Sequence, residues 1–345
     1  MATVPLRRNR DFLLLQIGQL LSNLGSQSSA IAYPLLVLSA MHSPAKAGLA
    51  GFARTVPGVL LALPAGVAAD RWDRRRLMVA ADGVRVLALA SLAAAILLHH
   101  VVFSVILVVA IVEVAGTALF AAGQAGALRA IVPVAQLPAA AGARTGRRAA
   151  VLLAGPPLGG SLFALARSLP FLVDAISYAF STLSLLAMRT PFQQARAPET
   201  SPLSARVGEG FRFLRRRPFL RTCALLFGLS NFMGPGLMLA VVVIGTKQGL
   251  SGGEVGALVA AFGAFLLLGS FLSPLVRRAL PVRAVLLLEL WTWLGCTAFL
   301  VRPDVYVLTA AILPTALAIP STDSVVHGYR LALTPDRLLG RAESA

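Results

Sequence analysis

Charge is scarce in this chain, so each ionisable residue inside an apolar run needs a reason. Glu113 sits in "VILVVAIVEVAGTALF", far from either end of its run. A carboxyl there is costly if the run is shielded from water, and burial disfavours its charged form. That suits a proton carrier; the plainer alternative is a protonated carboxyl bonded to a neighbouring helix. Asp82 and Arg85 are three residues apart, on one face of any helix, and read as an internal ion pair. Gln19, Asn23, Gln27 and Asn231 offer amides inside two further apolar runs, either to a polar solute or as packing glue between helices. "GVAADRWDRRRLM", Gly66 to Met78, closes an apolar run with two aspartates and four arginines. Gly66 would admit a neighbouring helix. Asp70 can pair with arginine or accept from a helix N-terminus, beside Arg71, Arg74 and Arg75. In "GPPLGG", Gly155, Pro156, Gly159 and Gly160 supply a kink and tight packing.

The runs that must position these residues are long. The 345 residues are 57% hydrophobic and 13% charged, with mean hydropathy +0.79, whereas a soluble domain is about a quarter charged. Ten stretches reach or approach the roughly 20 apolar residues that cross a bilayer: 11–39, 47–70, 78–98, 101–128, 148–167, 169–189, 219–247, 252–276, 282–301 and 303–331. The expected class is therefore an all-α integral membrane protein. Glu113 falls about 18 Å into the fourth span, near the midplane. The net charge of +17 does not signal nucleic acid, because the arginines are spread over short loops. Cys223 and Cys296 are too few and too buried in apolar runs for a disulfide framework or a metal cluster. "MATVPLRRNRDF" lacks the pattern of a removable signal peptide.

The basic residues set an orientation. With a cytoplasmic N-terminus, the outside loops hold only Lys46, Arg167, Lys247 and Arg302, and nearly all the rest lie inside. Arg54 and Arg85 fall within spans. Both termini are then cytoplasmic, in a multi-pass protein of the plasma (cell inner) membrane. A topogenic basic loop explains the arginines of 66–78 but not Gly66 and Asp70.

The chain also repeats. "LSN" at 21–23 returns at 229–231; the same spacing separates Gly48 from Gly256, and nearly the same separates Arg76 from Arg283. Paired halves are a transporter design, with the path at their interface. The expected organisation is a six-helix half at 1–189, a cytoplasmic central loop at 190–217 whose part 203–217 is read as a basic amphipathic helix, and an incomplete four-helix half at 218–345. The repeat then leaves ten spans of an expected twelve. Secondary expectations are a helix-start role for Asp174 and a gate or relay at Asp323 and His327; Glu289 falls in the ninth span.

These halves, the basic central loop and "GVAADRWDRRRLM" resemble the major facilitator superfamily, whose loop signature is matched by Gly66, Asp70, Arg71 and Arg74 or Arg75; Asp73 stands where a glycine is usual. "GPPLGG", "FLVDAISYAFSTLSL", "ADGVRVLAL" and "GYRLALTPDRLLGR" look like the bacterial branch of macrolide-type and siderophore exporters. The resemblance implies a two-half helical bundle, a loop that ties the halves together in one conformation, and a cavity lined by spans one, four, seven and ten. Gln16, Gln19, Asn23, Gln27, Glu113 and Asn231 would lie there, with Glu113 coupling to protons. The expected function is a secondary transporter that exports small amphipathic molecules by proton antiport and alternating access. Its partners would be the lipid bilayer, a small-molecule substrate and protons, with no cofactor, metal or nucleic acid. It would be a monomer unless another chain supplied the missing helices. The alternatives are a proton-coupled uptake symporter and a non-transporting receptor or scaffold. No nucleotide-binding loop or nucleophile–base spacing points to an ATP-driven pump or an enzyme.

Overall fold

The computed structural model describes residues 6–133, 136–192 and 218–333, and every regular element among them is helical. The expected basic amphipathic helix at 203–217 lies outside the described residues.

Helix α1 (Arg10–Met41) starts at Asn9, whose side chain accepts from the Phe12 N–H, and stops at His42, which adopts the left-handed conformation. Its 32 residues run about 48 Å at 1.5 Å per residue. The second expected span is not continuous. It divides into α2 (Pro44–Ala53) and α3 (Val56–Arg71), with Arg54 and Thr55 at the break. Pro57 supplies the reason: it has no N–H for the Ala53 carbonyl and its ring crowds that carbonyl, so it fits only in the first turn of a new helix. The Thr55 N–H bonds instead to the Phe52 carbonyl.

Four more helices complete the first part: α4 (Arg74–Leu97), α5 (Phe103–Ile131), α6 (Leu137–Leu165) and α7 (Leu169–Ala187). Asp73, the departure from the usual glycine, caps α4 by accepting from the Arg76 N–H at 2.8 Å. After them come α8 (Pro218–Lys247), α9 (Gly252–Ala279), α10 (Val282–Leu294), a 3-10 turn at Gly295–Thr297, α11 (Ala298–Val301) and α12 (Val305–Leu333). Ser251 and Glu254 close the start of α9 reciprocally: the Ser251 N–H donates to the Glu254 carboxylate at 2.7 Å, and the Glu254 N–H to the Ser251 hydroxyl at 3.3 Å.

Seven described stretches are long and apolar enough to cross a membrane. The ten expected from sequence also included α1, the α2–α3 pair and α6. The physical cause is visible in α1. Its row of Gln and Ser residues lowers its hydropathy, yet Gln19, Ser22, Ser28 and Ser29 are buried inside the bundle, where lipid never meets them.

The described residues form two compact units. The first holds α1 to α7 with residues 249–257; the second holds residues 218–248 and 258–333. In the first, α1 lies along α6 and α7, while α5 packs on α3 and α4, and α4 also packs on α7. Phe12, Leu15, Met78, Phe120, Leu185 and Phe192 fill the core at the end where α3 meets α4. Leu87, Ile176 and Leu183 point outward as an apolar face suited to lipid. In the second unit α12 packs on α10 and α8, and Gly269 of α9 comes against the Leu317 backbone.

Small residues set the close approaches. A Cβ at Gly25 of α1 would fall 2.9 Å from the Asp174 Cα and 2.6 Å from its Oδ1 on α7. One at Gly83 of α4 would meet nothing within 4 Å. Gly25→Ala should therefore destabilise the purified protein by about 1–3 kcal/mol. Gly83→Ala should be neutral or gain up to about 1 kcal/mol of helix propensity. Thermal unfolding of the two variants in detergent checks this, and equal midpoints would show that the α1–α7 contact is loose.

Candidate functional site

Glu113, 2% exposed, is buried at the heart of the first unit. Arg54 Nη1 donates to its Oε2 at 2.7 Å, and the Tyr33 hydroxyl donates to the same oxygen at 3.0 Å. The Arg54 guanidinium lies 4.4 Å from the centre of the Tyr33 ring, which meets Phe171 edge-on at 5.1 Å. The broken second span makes this arrangement. Arg54 is the residue that ends α2, where a cation also complements the helix dipole. Arg54 and Glu113 stand 59 residues apart, in separate expected spans; a buried ion asks for a counterion, but that demand alone does not choose between Arg54 and Arg85, the two arginines within spans.

A second charged pair lies beside it. Arg85 and Asp82 of α4 form a buried ion pair. Arg85 also donates to Thr117 Oγ1 at 3.2 Å and stacks 4.0 Å from the centre of the Tyr178 ring. Gly116 leaves room for it: a Cβ there would come within 2.8 Å of the Arg85 stem. The Tyr178 hydroxyl shares a hydrogen bond of 2.7 Å with Ser26 of α1.

Asp174 corrects an expectation. It is not a helix-start residue but lies more than a turn inside α7, fully buried. Ser29 Oγ donates to its Oδ2 at 2.6 Å. Gly25 is bare where the Asp174 side chain needs the space. Glu289 of the second unit is likewise buried, and accepts from Ser230 Oγ of α8 at 2.9 Å.

Gln19, Asn23 and Gln27 form one stripe of α1, four residues apart. They are not among the hydrogen-bond partners of Glu113; Gln27 instead packs on Gly155. Gln16 accepts a hydrogen bond from Arg147 of α6. The side chains of Asn231, Asp70 and His327 lie outside what is described.

The basic loop does something the sequence reading did not anticipate. Arg75 wraps the C-terminus of α7, donating to the Leu185 carbonyl at 2.6 and 2.9 Å, to that of Leu186 at 2.9 Å, and to that of Met188. It satisfies carbonyls that the ending helix leaves without partners. Arg74 reaches the Phe192 carbonyl at 3.4 Å, in space left by Gly126. Asp11 holds the same segment from the other side, accepting from the Thr190 N–H at 2.8 Å and the Arg189 N–H at 3.2 Å. Arg71 is exposed. Gly66 is a correction: a Cβ there would meet nothing within 4 Å, because no described element packs on that side of α3.

"GPPLGG" in α6 makes close contacts on two sides. Gly155 and Gly159 receive α1 at Gln27 and Ser28. Gly160 meets the Gly252 carbonyl at the start of α9, and a Cβ at Gly256 would fall 2.7 Å from the Pro156 carbonyl.

Residues 2–344 match the family model described as "Transmembrane secretion effector". The MFS-type transporter YfiS of Bacillus subtilis (strain 168) is 28% identical over 276 residues, covering 76% of this chain and 64% of that protein. The multidrug efflux pump Tap of Mycolicibacterium fortuitum is 28% identical over 230 residues, covering 62% and 54%. The matched part of the chain thus spans less than two thirds of either relative. Among solved structures, a bacterial homologue of the human lysosomal transporter Spinster, inward-facing and unoccupied, superposes with a TM-score of 0.74 at 17% identity, over 99% of this chain and 78% of that one. A bacterial homologue of the iron transporter ferroportin, inward-facing, gives 0.68 at 16% identity, over 99% and 88%. At such identities these structures establish the fold alone.

Arg54 is the cation paired with Glu113 among the described residues. Arg54→Gln should strand a buried carboxylate and destabilise the protein by about 3–5 kcal/mol. The double variant Arg54→Gln/Glu113→Gln, with no charge left to strand, should recover most of that loss. A double-mutant cycle on thermal unfolding checks the coupling, and additive losses would mean the pair contributes nothing as a pair.

Proposed function

The chain belongs to the transmembrane secretion effector family of the major facilitator superfamily, a family of non-enzymatic membrane transporters, and on that footing we propose that it exports small amphipathic molecules in exchange for protons by alternating access. The observation that carries this reading is Glu113 held by Arg54 and Tyr33 inside an apolar bundle. A transport cycle needs a group whose interactions differ between two states. Protonation of Glu113 cancels its charge and frees Arg54, which sits at a break between two helices. Proton binding thereby weakens one specific helix contact, the one joining the α2–α3 break to α5. Proton release restores it.

Export is supported by the description of the family and by the efflux named for Tap; a place in the branch of macrolide-type and siderophore exporters rests on the sequence motifs alone. The glycine contacts of α6 agree with it: α1 and the start of α9 approach too closely there to leave a path for ions. Gln19, Asn23, Gln27 and Asn231 are proposed cavity residues, supported by their shared stripe on α1 and by the repeat that relates Asn23 to Asn231. The basic loops favour a cytoplasmic N-terminus and C-terminus in the plasma membrane, and the protein works as a monomer. The loop from Gly66 to Arg75 controls exchange between conformations. Arg75 holds α7 only through backbone carbonyls, which can be released without breaking the helix.

Ethidium, an amphipathic cation, serves as the probe in inverted vesicles. Glu113→Gln should reduce uptake driven by a pH gradient to background, while gradient-free counterflow continues. Normal driven uptake in that variant would remove Glu113 from the coupling, and loss of both activities would make it a packing or substrate residue. An uptake symporter would run in the opposite direction under the same gradient, and a receptor would show no flux.

Asp70→Asn should slow transport roughly tenfold, equivalent to about 1.4 kcal/mol on the barrier between states, with membrane expression unchanged. Expression falling in step with activity would assign Asp70 to folding instead.

A further inference from the structure

The interior of the first unit holds an uneven set of charges. Among the described residues it contains the carboxyls of Asp82, Glu113 and Asp174 and the guanidiniums of Arg54 and Arg85. Arg54 faces Glu113 and Arg85 faces Asp82, both as ion pairs. Asp174 is the acid left over. It is completely buried, and its described polar partners are hydroxyls.

Those hydroxyls are poor compensation. Ser29 donates to Oδ2 at 2.6 Å. Ser177 spends its proton on the Asp174 backbone carbonyl at 2.7 Å and stands 3.3 Å from Oδ1. The Gly25 backbone closes one side of the carboxyl, and the fully buried Phe171 and Tyr178 flank Asp174 on its own helix. An ionised carboxylate in such a place would lack both water and a counterion, and buried groups in that position take up a proton instead. α1, α4 and α6 pack on α7; α1 brings Ser29 and Tyr33, α4 brings Asp82 and Arg85, the latter stacked on Tyr178, and Tyr33 links Glu113 of α5 and Arg54 of the α2 end to the group. The charged residues described on α6, Arg144, Arg147 and Arg148, lie toward that helix's other end.

We propose that Asp174 is a proton-binding site, distinct from Glu113, and that in the conformation seen here it carries the one proton that makes the buried cluster neutral. The proton adds to a carboxyl oxygen of Asp174; no other bond forms or breaks. Releasing it leaves three carboxylates competing for two guanidiniums. Arg54 and Arg85 are then drawn between partners, so proton exit at Asp174 loosens the Glu113 and Asp82 pairs together. The proposal rests on the chain being membrane-embedded, and not on the direction of transport or on Glu113 coupling it.

Infrared difference spectroscopy of the full purified chain in nanodiscs, stepped through pH, tests this without any substrate. A protonated-carboxyl band should be present at neutral pH and disappear on alkalinisation. It should be lost in Asp174→Asn, and in Glu113→Gln, which leaves two carboxylates for two guanidiniums, it should disappear at a lower pH than in the unmodified protein. Ser29→Ala, which leaves the acid in place but removes its hydrogen bond, should shift the band's frequency. Absence of the band in the unmodified protein, its survival in Asp174→Asn, or its failure to titrate overturns the proposal. Should Asp174→Asn not fold, an unshifted band in Ser29→Ala overturns it equally. Failed ethidium transport with these spectra intact would count against the exporter reading and leave the proton site standing.

Discussion

A charge removed from water must be compensated within a few ångströms, and in the first unit of this protein much of the local structure follows from that demand. Away from the bundle's ends, the carboxyls of Asp82, Glu113 and Asp174 and the guanidiniums of Arg54 and Arg85 lie among its packed helices. Their compensation explains features that otherwise look unrelated. The second span breaks so that Arg54 ends a helix beside Glu113. Gly116 is bare where the stem of Arg85 passes, and Gly25 is bare where Asp174 stands. Tyr33 and Tyr178 bring aromatic faces to the two arginines and a hydroxyl apiece to the network. Each glycine gives up helix propensity for the sake of a buried polar group on a helix packed directly against its own.

The same demand operates at the bundle's end, on partial charges. The last carbonyls of α7 have no intrahelical partners, and Arg75 supplies several at once. Asp11 does the reverse for the N–H groups of residues 189 and 190. The chain leaving α7 is thus pinned by two cations of α4 and one anion of α1. These are bonds to backbone atoms, so they depend on the helix end itself and not on the side chains it carries.

How much of this could be read from the sequence depends on how local each interaction is. Helices, their membrane character and the contact between Asp82 and Arg85 follow from composition and from spacing within one turn. The break after Ala53 was also present, in the proline at 57, but a continuous apolar run masked it. Partners distant in sequence were invisible: nothing in one chain without an alignment says that Arg54 reaches Glu113, or that Gly25 makes room for Asp174. Hydropathy failed where polarity is buried, as along α1, because it assumes that a polar helix face seeks water. Gly66 failed in the opposite sense. A small residue invites close packing but does not supply a neighbour.

The position of the break links these levels. In a continuous helix every backbone carbonyl near Arg54 would be bonded, and the span would move as one rod. At the break, Thr55 makes a shorter-range bond to Phe52, and its hydroxyl takes the Gly51 carbonyl. α2 and α3 are joined there by little backbone bonding, and the side-chain contact of Arg54 with Glu113 and Tyr33 ties the junction to α5 and α1. The ion pair is therefore also a mechanical joint: its strength sets how freely the two parts of the span move against each other. Strength of that kind, depending on a single carboxyl's charge in a dry interior, changes by kilocalories when one proton arrives. In the proposed exchange with protons, a proton on Glu113 is the event that would loosen this joint.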